Sequence, residues 1–216
     1  MTRQLRLGLT RPGAWSFEEF VRGASNAQAA ATVEAWTHGP LALVGPEASG
    51  KSHLAAAWAD LTGAVVLDRE APDALAAEGK AALLEDVDRG VAPEALFHLI
   101  NQTVHYGGGL LLTARTPPIA WPAALPDLRS RLNALPVAEI APPDDVVLEG
   151  LLRRFFREQN ITPSADIYAY LLRRMGRSAP EARELVRRLH EAGEAVTRSL
   201  ARQVLGADDE NLDLFE

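Results

Sequence analysis

The stretch LALVGPEASGKSHL, Leu41–Leu54, sets a lysine and a serine behind two glycines in the order Gly-x-x-x-x-Gly-Lys-Ser. Those residue types at that spacing suit phosphate chemistry. Phosphate binding needs backbone N–H groups converging on oxygens, glycines that allow close approach, and a cation on a stem. Gly45 and Gly50 supply the permissive backbone. Lys51, one of two lysines in the chain, would reach the β- and γ-phosphates of a nucleotide. The Ser52 hydroxyl would hold Mg²⁺. A helix opening at Lys51 would aim the positive end of its dipole at the same phosphates. The run Gly45, Pro46, Glu47, Ala48, Ser49, Gly50, Lys51, Ser52 and His53 is therefore read as cofactor-binding.

Hydrolysis or metal control at such a loop needs carboxylates at the end of a neighbouring strand. The run AALLEDVD, Ala81–Asp88, offers Glu85, Asp86 and Asp88. Side chains alternate along a strand, so Glu85 and Asp86 face differently. One could hold Mg²⁺, and Glu85 is read in that role beside Ser52, while the other orients the attacking water. Asp68, at the end of AVVLD, is a rival. It offers a single acid, 17 residues after Lys51, with room for one helix and the adjacent strand.

These groups must be positioned by secondary structure. Apolar runs at Leu41–Gly45, Ala64–Asp68, Ala81–Asp88, Leu110–Ala114 and Pro136–Ile140 read as buried strands. Helical patterns fill the intervals. An Ala-rich segment covers Asn26–Thr37, SHLAAAWADLTG ends on Gly63, and a helix opens at Pro93 and closes on glycines near 107. Alternating strands and helices predict an α/β fold with a parallel sheet flanked by helices. The pattern changes at APPDD, Ala141–Asp145, beyond which strands are absent. Leu151, Leu152, Phe155 and Phe156 share one helix face. TPSADIYAYLLRRMG carries a Thr cap and a terminal Gly, SAPE is a capping box from Ser178 to Glu181, and Thr197 can cap a further helix. Four segments result: a tail over 1–13, an α/β unit over 14–143, a small all-helical unit over 144–205, and an acidic tail over 206–216.

Bulk properties narrow the function. The 216 residues are 47% hydrophobic and 24% charged, ordinary globular composition. A net charge of -7 gives no global positive field to recruit nucleic acid. With no cysteine there is no disulfide framework, thiolate zinc site or catalytic thiol. The N-terminal MTRQLRLGLTRPG lacks the apolar core of a signal peptide, and no apolar stretch reaches the roughly 18–20 residues that span a bilayer. A cytoplasmic protein without a membrane partner is the expectation.

The order of features resembles the DnaA-type AAA+ ATPases of bacterial replication initiation, and most of all the short Hda-type regulators, which lack the initiator's DNA-binding domain. The similarity runs over about residues 14–205. WSFEEFVRGASNAQAAA is similar to the family's segment before the ATPase core, where an aromatic-Thr/Ser-Phe run and a Gly-x-x-Asn contact adenine. GPEASGKSHL is similar to its Walker A and LLEDVD to its Walker B. ALFHLINQTVHYGGGLLLTARTPP resembles its helix and sensor 1 strand, DLRSRLNALPVAEIAPPDD its box VII, and GRSAPEARELVRRL its sensor 2. The resemblance implies an AAA+ P-loop NTPase fold with a helical lid.

Carried over residue by residue, the resemblance puts Lys51 and Ser52 on phosphate and Mg²⁺, and Phe17 and Asn26 at the adenine. Glu85 and Asp86 match the Walker B pair, with Glu where the family usually has Asp. Thr113 matches the sensor 1 region, followed by an apolar Ala114. Arg131 in LRSRL matches the box VII finger that acts on a neighbouring subunit's nucleotide, with Arg129 as its rival. Arg183 matches sensor 2. The departures at Glu85 and Ala114 predict low intrinsic hydrolysis. QLRLGL, Gln4–Leu9, resembles the peptide by which Hda-type proteins dock on the β sliding clamp. Gln4 would enter a polar pocket while Leu5, Leu7 and Leu9 offer apolar anchors. Gly8 stands where Pro is common. The C-terminal NLDLF, Asn211–Phe215, resembles a second such peptide.

The implied function is an ATP- or ADP-binding AAA+ regulator of replication initiation. It docks on the clamp and stimulates ATP hydrolysis by the initiator DnaA in trans. Self-association into a homodimer or oligomer is a further expectation, and DNA is met only through the clamp. The alternatives are a stand-alone helicase-loader ATPase and a non-catalytic clamp adaptor switched by nucleotide.

Overall fold

The computed structural model describes residues 15–73, 77–193 and 195–212. Five strands form one parallel sheet: β1 (Gly39–Val44), β2 (Val65–Val66), β3 (Ala82–Leu84), β4 (Gly109–Ala114) and β5 (Val137–Glu139). Their spatial order is β2-β3-β4-β1-β5. β1 and β4 pair over six residues, from Gly39 with Gly109 to Val44 with Ala114. All six β4 residues are buried, which is why LLLTA reads as an unbroken apolar run.

Helices cover both faces of this sheet: α1 (Ala27–Glu34), α2 (Lys51–Thr62), α3 (Pro93–Tyr106) and α4 (Pro126–Asn133). One core layer joins Leu96, Leu99, Ile100 and Leu132 to the Leu84, Leu110 and Leu112 face. The other joins Ala30, Val33, Leu54 and Trp58 to the Leu41, Leu43 and Leu111 face. Alternate strand residues thus enter opposite layers, as a pleated strand covered on both sides requires. Two helix boundaries follow local chemistry. Pro93 starts α3, where its missing N–H costs nothing. Gly63 ends α2 in the left-handed region at φ 64, which a side chain would disfavour.

The C-terminal helices α5 (Asp145–Glu158), α6 (Ala165–Leu172), α7 (Ala179–Glu191) and α8 (Arg198–Leu212) enclose a core of their own, built on Leu152, Phe156, Leu171, Leu185 and Leu189. Asp144 links this bundle to the turn before α1. One of its carboxylate oxygens accepts from Val147 N at 2.9 Å and caps α5, and the other accepts from Ser25 N at 2.8 Å. These bonds hold the Asp144 carboxyl below the usual range.

Four expectations are corrected. Ala64–Asp68 is not a buried strand next to β1. β2 is a two-residue edge strand with Val66 exposed, and β3 and β4 lie between it and β1. The N-cap position of α6 is Ser164, which is extended and makes no side-chain capping bond, so Thr162 lies two residues too early to cap the helix. The segment from Gly206 is not a tail distinct from the helices, since α8 runs through Leu212. The helix expected over Asn26–Thr37 ends at Glu34. The Gln4–Leu9 peptide lies outside the described residues, as does the end of Asn211–Phe215.

Candidate nucleotide-binding site

A cleft of about 550 Å³ opens where the phosphate loop meets the C-terminal helices. That volume suits a small organic ligand. From the loop it is lined by Glu47, Ala48, Gly50, Lys51, Ser52 and His53. The ends of β3 and β4 add Asp86, Arg89 and Arg115, the N-terminal segment adds Trp15, and the helices add Leu151, Arg154, Phe155, Ala179, Pro180 and Arg183. Five of these side chains, Lys51, Arg89, Arg115, Arg154 and Arg183, are cationic, against two carboxylates, Glu47 and Asp86. In a chain of net charge -7 this is a local inversion of sign, and it fits an anion of several charges.

The loop itself is tightly specified. Gly50 takes φ 99, and a Cβ there would stand 2.8 Å from the Phe20 ring, so only glycine fits. Lys51 is buried, and its Nζ donates to Gly45 O at 2.8 Å and Pro46 O at 2.7 Å. Burial lowers its pKa, with Asp86 opposing. Ser49 Oγ is buried without a hydrogen-bond partner. Ser52 is exposed at the opening of α2, and its hydroxyl shares the cleft with the Asp86 carboxylate. A triphosphate tail fits this arrangement: loop amides, a helix N-terminus and Lys51 suit its oxygens, and Ser52 with Asp86 suits Mg²⁺.

The acid that lines the cleft is Asp86; Glu85, the acid read at the metal, does not line it. Asp86 adopts φ 53, which re-aims its side chain after β3, while Glu85 leaves its Oε1 buried without a partner. Thr113 does not line the cleft either. It is buried, and its hydroxyl accepts the Asp86 N–H at 3.0 Å, so it positions the acid rather than a water. Asp68 accepts from Glu70 N near the far edge of the sheet. Asp88 is a structural acid. Its Oδ2 accepts from Arg115 N at 2.9 Å, Thr116 N at 3.1 Å and Thr116 Oγ1 at 3.2 Å, and so holds the turn that presents Arg115.

Neither of the residues read at the adenine, Phe17 and Asn26, lines the cleft. Asn26 is buried with its amide committed: it donates to Val21 O at 2.9 Å and accepts from Gly23 N at 2.9 Å. Phe17 packs on the sheet core, and Trp15 takes the place at the cleft expected for it. The Trp15 ring meets His53 edge-on at 5.1 Å. His53 Nε2 bonds Ser16 O at 2.9 Å, which as a carbonyl only accepts, so His53 is the Nε2–H tautomer. His53 therefore ties the N-terminal segment to α2.

Arg183 stands where sequence reasoning put it, in the second turn of α7. Its Nη1 donates to Glu158 Oε2 at 3.3 Å and its guanidinium covers the Phe155 ring at 4.2 Å. Arg154 shares Glu158 with it at 3.1 Å. The two box VII arginines part company. Arg129 donates to Ile119 O at 2.7 Å and Trp121 O at 2.9 Å, pinning the loop after β4. Arg131 is exposed, lies outside its own cleft, and touches Phe97 at 5.7 Å. Sequence reasoning missed Arg115, Arg154 and Trp15. Arg115 directly follows the sensor strand and was legible there; Arg154 sits among many helix arginines and gave no signal.

No family model and no curated protein sequence matches the chain. Solved structures do. Domain III of the replication initiation protein DnaA from Thermotoga maritima superposes with a TM-score of 0.69 at 19% identity, over 89% of this chain and 96% of that one. The chain has a DnaA-like AAA+ fold. AMPPCP-bound DnaA from Aquifex aeolicus gives 0.65 at 19% identity, over 88% of this chain and 69% of that one. A point variant of Thermotoga maritima RuvB gives 0.67 at 15% identity, over 89% of this chain and 72% of that one. Among the described residues no helix is long and apolar enough to cross a membrane.

Proposed function

We propose that the chain is a cytoplasmic AAA+ regulator that binds an adenine nucleotide with Mg²⁺, docks on the β sliding clamp through Gln4–Leu9, and stimulates ATP hydrolysis by DnaA. In this reading residues 14–143 form the nucleotide-binding domain and 144–205 the lid. AMPPCP in the Aquifex aeolicus DnaA structure and the cationic cleft described above support adenine nucleotide as the ligand. Bound Mg²⁺ would neutralise phosphate charge; Ser52 and Asp86 are the residues that would hold it. Lys51 and the loop backbone orient the phosphates, and Arg183 and Arg154 bring the lid helices onto the ligand.

The observation that carries the regulatory part is the exposure of Arg131 beside a carbonyl-bound Arg129. An arginine with no backbone to hold is free to reach a partner's nucleotide, where neutralising the transferring phosphoryl group is worth about 10³–10⁵ in rate. Glu85 does not line the chain's own cleft, and Thr113 accepts the Asp86 N–H, which supports low hydrolysis in cis. The test measures DnaA-bound ATP turnover on clamp-loaded DNA, with wild type, with Lys51→Ala, and with Gln4, Leu5 and Leu7 all replaced by Ala. Stimulation by wild type and its loss in both variants is expected. No stimulation by wild type returns the chain to the loader or passive adaptor readings.

A further inference from the structure

Two glycines face two valines where the segment before α1 crosses α5. A Cβ on Gly150, inside α5, would stand 2.3 Å from Val21 Cγ1. A Cβ on Gly23 would stand 2.6 Å from Val147 Cγ2. Neither glycine has a positive φ, so close contact rather than backbone conformation calls for glycine at both. Inside a helix, glycine is otherwise a loss against alanine. On its other side the same segment is tied to the phosphate loop and α2. The Phe20 ring covers Gly50, and Ser16 O accepts from His53 Nε2 at 2.9 Å. Asn26 accepts from Gly23 N and donates to Val21 O, both at 2.9 Å, which braces the turn that carries Val21. Glu19 O accepts from Arg154 Nη1 at 3.3 Å, one turn along α5 from Gly150.

Resting on the nucleotide reading above, we infer that Gly150 is a positioning residue of the cleft, acting through the seat it leaves for Val21. Trp15 enters the cleft from the N-terminal segment, while Leu151, Arg154 and Phe155 enter from α5 just beyond Gly150. The depth to which Val21 sinks against α5 therefore fixes the gap between these two walls. Valine is branched at Cβ and stiff, so rotation of its side chain cannot absorb a methyl group at position 150. The segment must move away from α5 instead, as overpacked contacts do. That movement carries Trp15 away from Arg154 and draws the Glu19 carbonyl off the guanidinium. Gly150 itself does not line the cleft.

The experiment is calorimetric titration with ADP and Mg²⁺ of wild type, Gly150→Ala, and Gly150→Ala combined with Val21→Ala, on protein whose thermal unfolding confirms the fold. Gly150→Ala should bind about tenfold more weakly, the lower range of an overpacking cost, although alanine favours the helix. Val21 Cβ lies 3.5 Å from the added methyl, an ordinary contact, so Val21→Ala removes the clash. The double variant should return to within about threefold of wild type. Acrylamide quenching of Trp15, read against a Trp15→Phe blank, should change in Gly150→Ala and return in the double variant. Val21→Ile presses on the same contact from the other side with one more methylene. It should weaken binding about threefold, and it carries the test if Gly150→Ala does not fold. Wild-type affinity in these folded single variants, or a loss that Val21→Ala leaves uncorrected, overturns the inference while the nucleotide reading stands. Failure of folded wild type to bind ADP overturns the nucleotide reading and this one with it.

Discussion

The backbone N–H of Asp86 donates to the hydroxyl of Thr113 across 3.0 Å, and this bond joins the acid end of β3 to the end of β4. Asp86 sits at φ 53, a conformation a non-glycine residue holds only when its surroundings insist. Thr113 is that constraint, since its side chain is fully enclosed.

Thr113→Val should therefore act on the cleft as well as on stability. Valine keeps the shape but strips the acceptor, leaving an N–H without its partner, which costs about 1–3 kcal/mol. Urea denaturation should show a lower midpoint at unchanged slope. Nucleotide affinity should fall in the Val variant and recover in Thr113→Ser, which restores the acceptor. Equal affinity in all three proteins would remove the positioning role.

Ala48 occupies the left-handed region at φ 57 on the exposed rim of the loop. A left-handed L-residue is strained by about 1–2 kcal/mol, and glycine loses about 0.4–1 kcal/mol through its freer unfolded chain. Ala48→Gly should thus gain about 0.5–1 kcal/mol, read from the same denaturation curves. A loss of stability would show that the surrounding loop prefers the methyl group.

The strand–loop–helix around Lys51 was legible because glycine spacing, apolar runs and a following helix all express one geometry. The Pro93 start, the Gly63 end and the Ser178 cap were legible for the same reason: each is a local backbone demand met by one residue type. Ser178 Oγ accepts from Glu181 N at 3.3 Å, as its capping box implies. What local pattern could not express was facing. Glu85 and Asp86 are adjacent, and only the turn at Asp86 decides which one lines the cleft. Trp15 and Phe17 are two apart on a segment without regular structure, so no periodicity ranks them. Arg154 and Glu158 meet Arg183 across two helices, a relation fixed by bundle packing and absent from the local sequence. The edge position of β2 belongs to the sheet order, which the chain sets only through its crossovers.

His53 gives a pH dependence with a definite sign. Burial lowers its pKa from 6.5, opposed by the bond to Ser16 O; Arg154 lowers it further and Glu19 raises it. A histidine with a lowered folded pKa binds fewer protons folded than unfolded. Its contribution is intact above about 6.5 and is lost as pH falls from there through the lower folded value. Wild type should lose stability relative to His53→Gln as pH falls below about 6.5, measured by denaturation at each pH. Parallel pH curves for the two proteins would mean that the ring accommodates its charge.

Arg129 and Arg131 lie two residues apart on α4 and should fail in different ways. Arg129 donates to the carbonyls of Ile119 and Trp121, and the Trp121 indole donates in turn to Thr116 O at 2.8 Å. Removing Arg129 deprives two carbonyls of a charged donor, and hydrogen bonds to charged groups contribute about 1.5–3 kcal/mol each, so Arg129→Ala should lower stability by a measurable share of that. Arg131 holds no carbonyl, and its contact with Phe97 lies on the surface, so Arg131→Ala should change stability by less than about 0.5 kcal/mol. If Arg131 is the residue that acts on DnaA, stimulation of DnaA-bound ATP hydrolysis should vanish in Arg131→Ala at full folding and unchanged nucleotide affinity. Lysine should rescue it only in part, because a point charge lacks the planar fork. Arg129→Ala should lose stimulation only in proportion to its folded fraction, and recover when assayed at a temperature where it is folded. The comparison therefore needs unfolding curves and hydrolysis rates on the same preparations. Full stimulation by a folded Arg131→Ala protein would remove the trans-acting role from this helix, whatever Arg129 does.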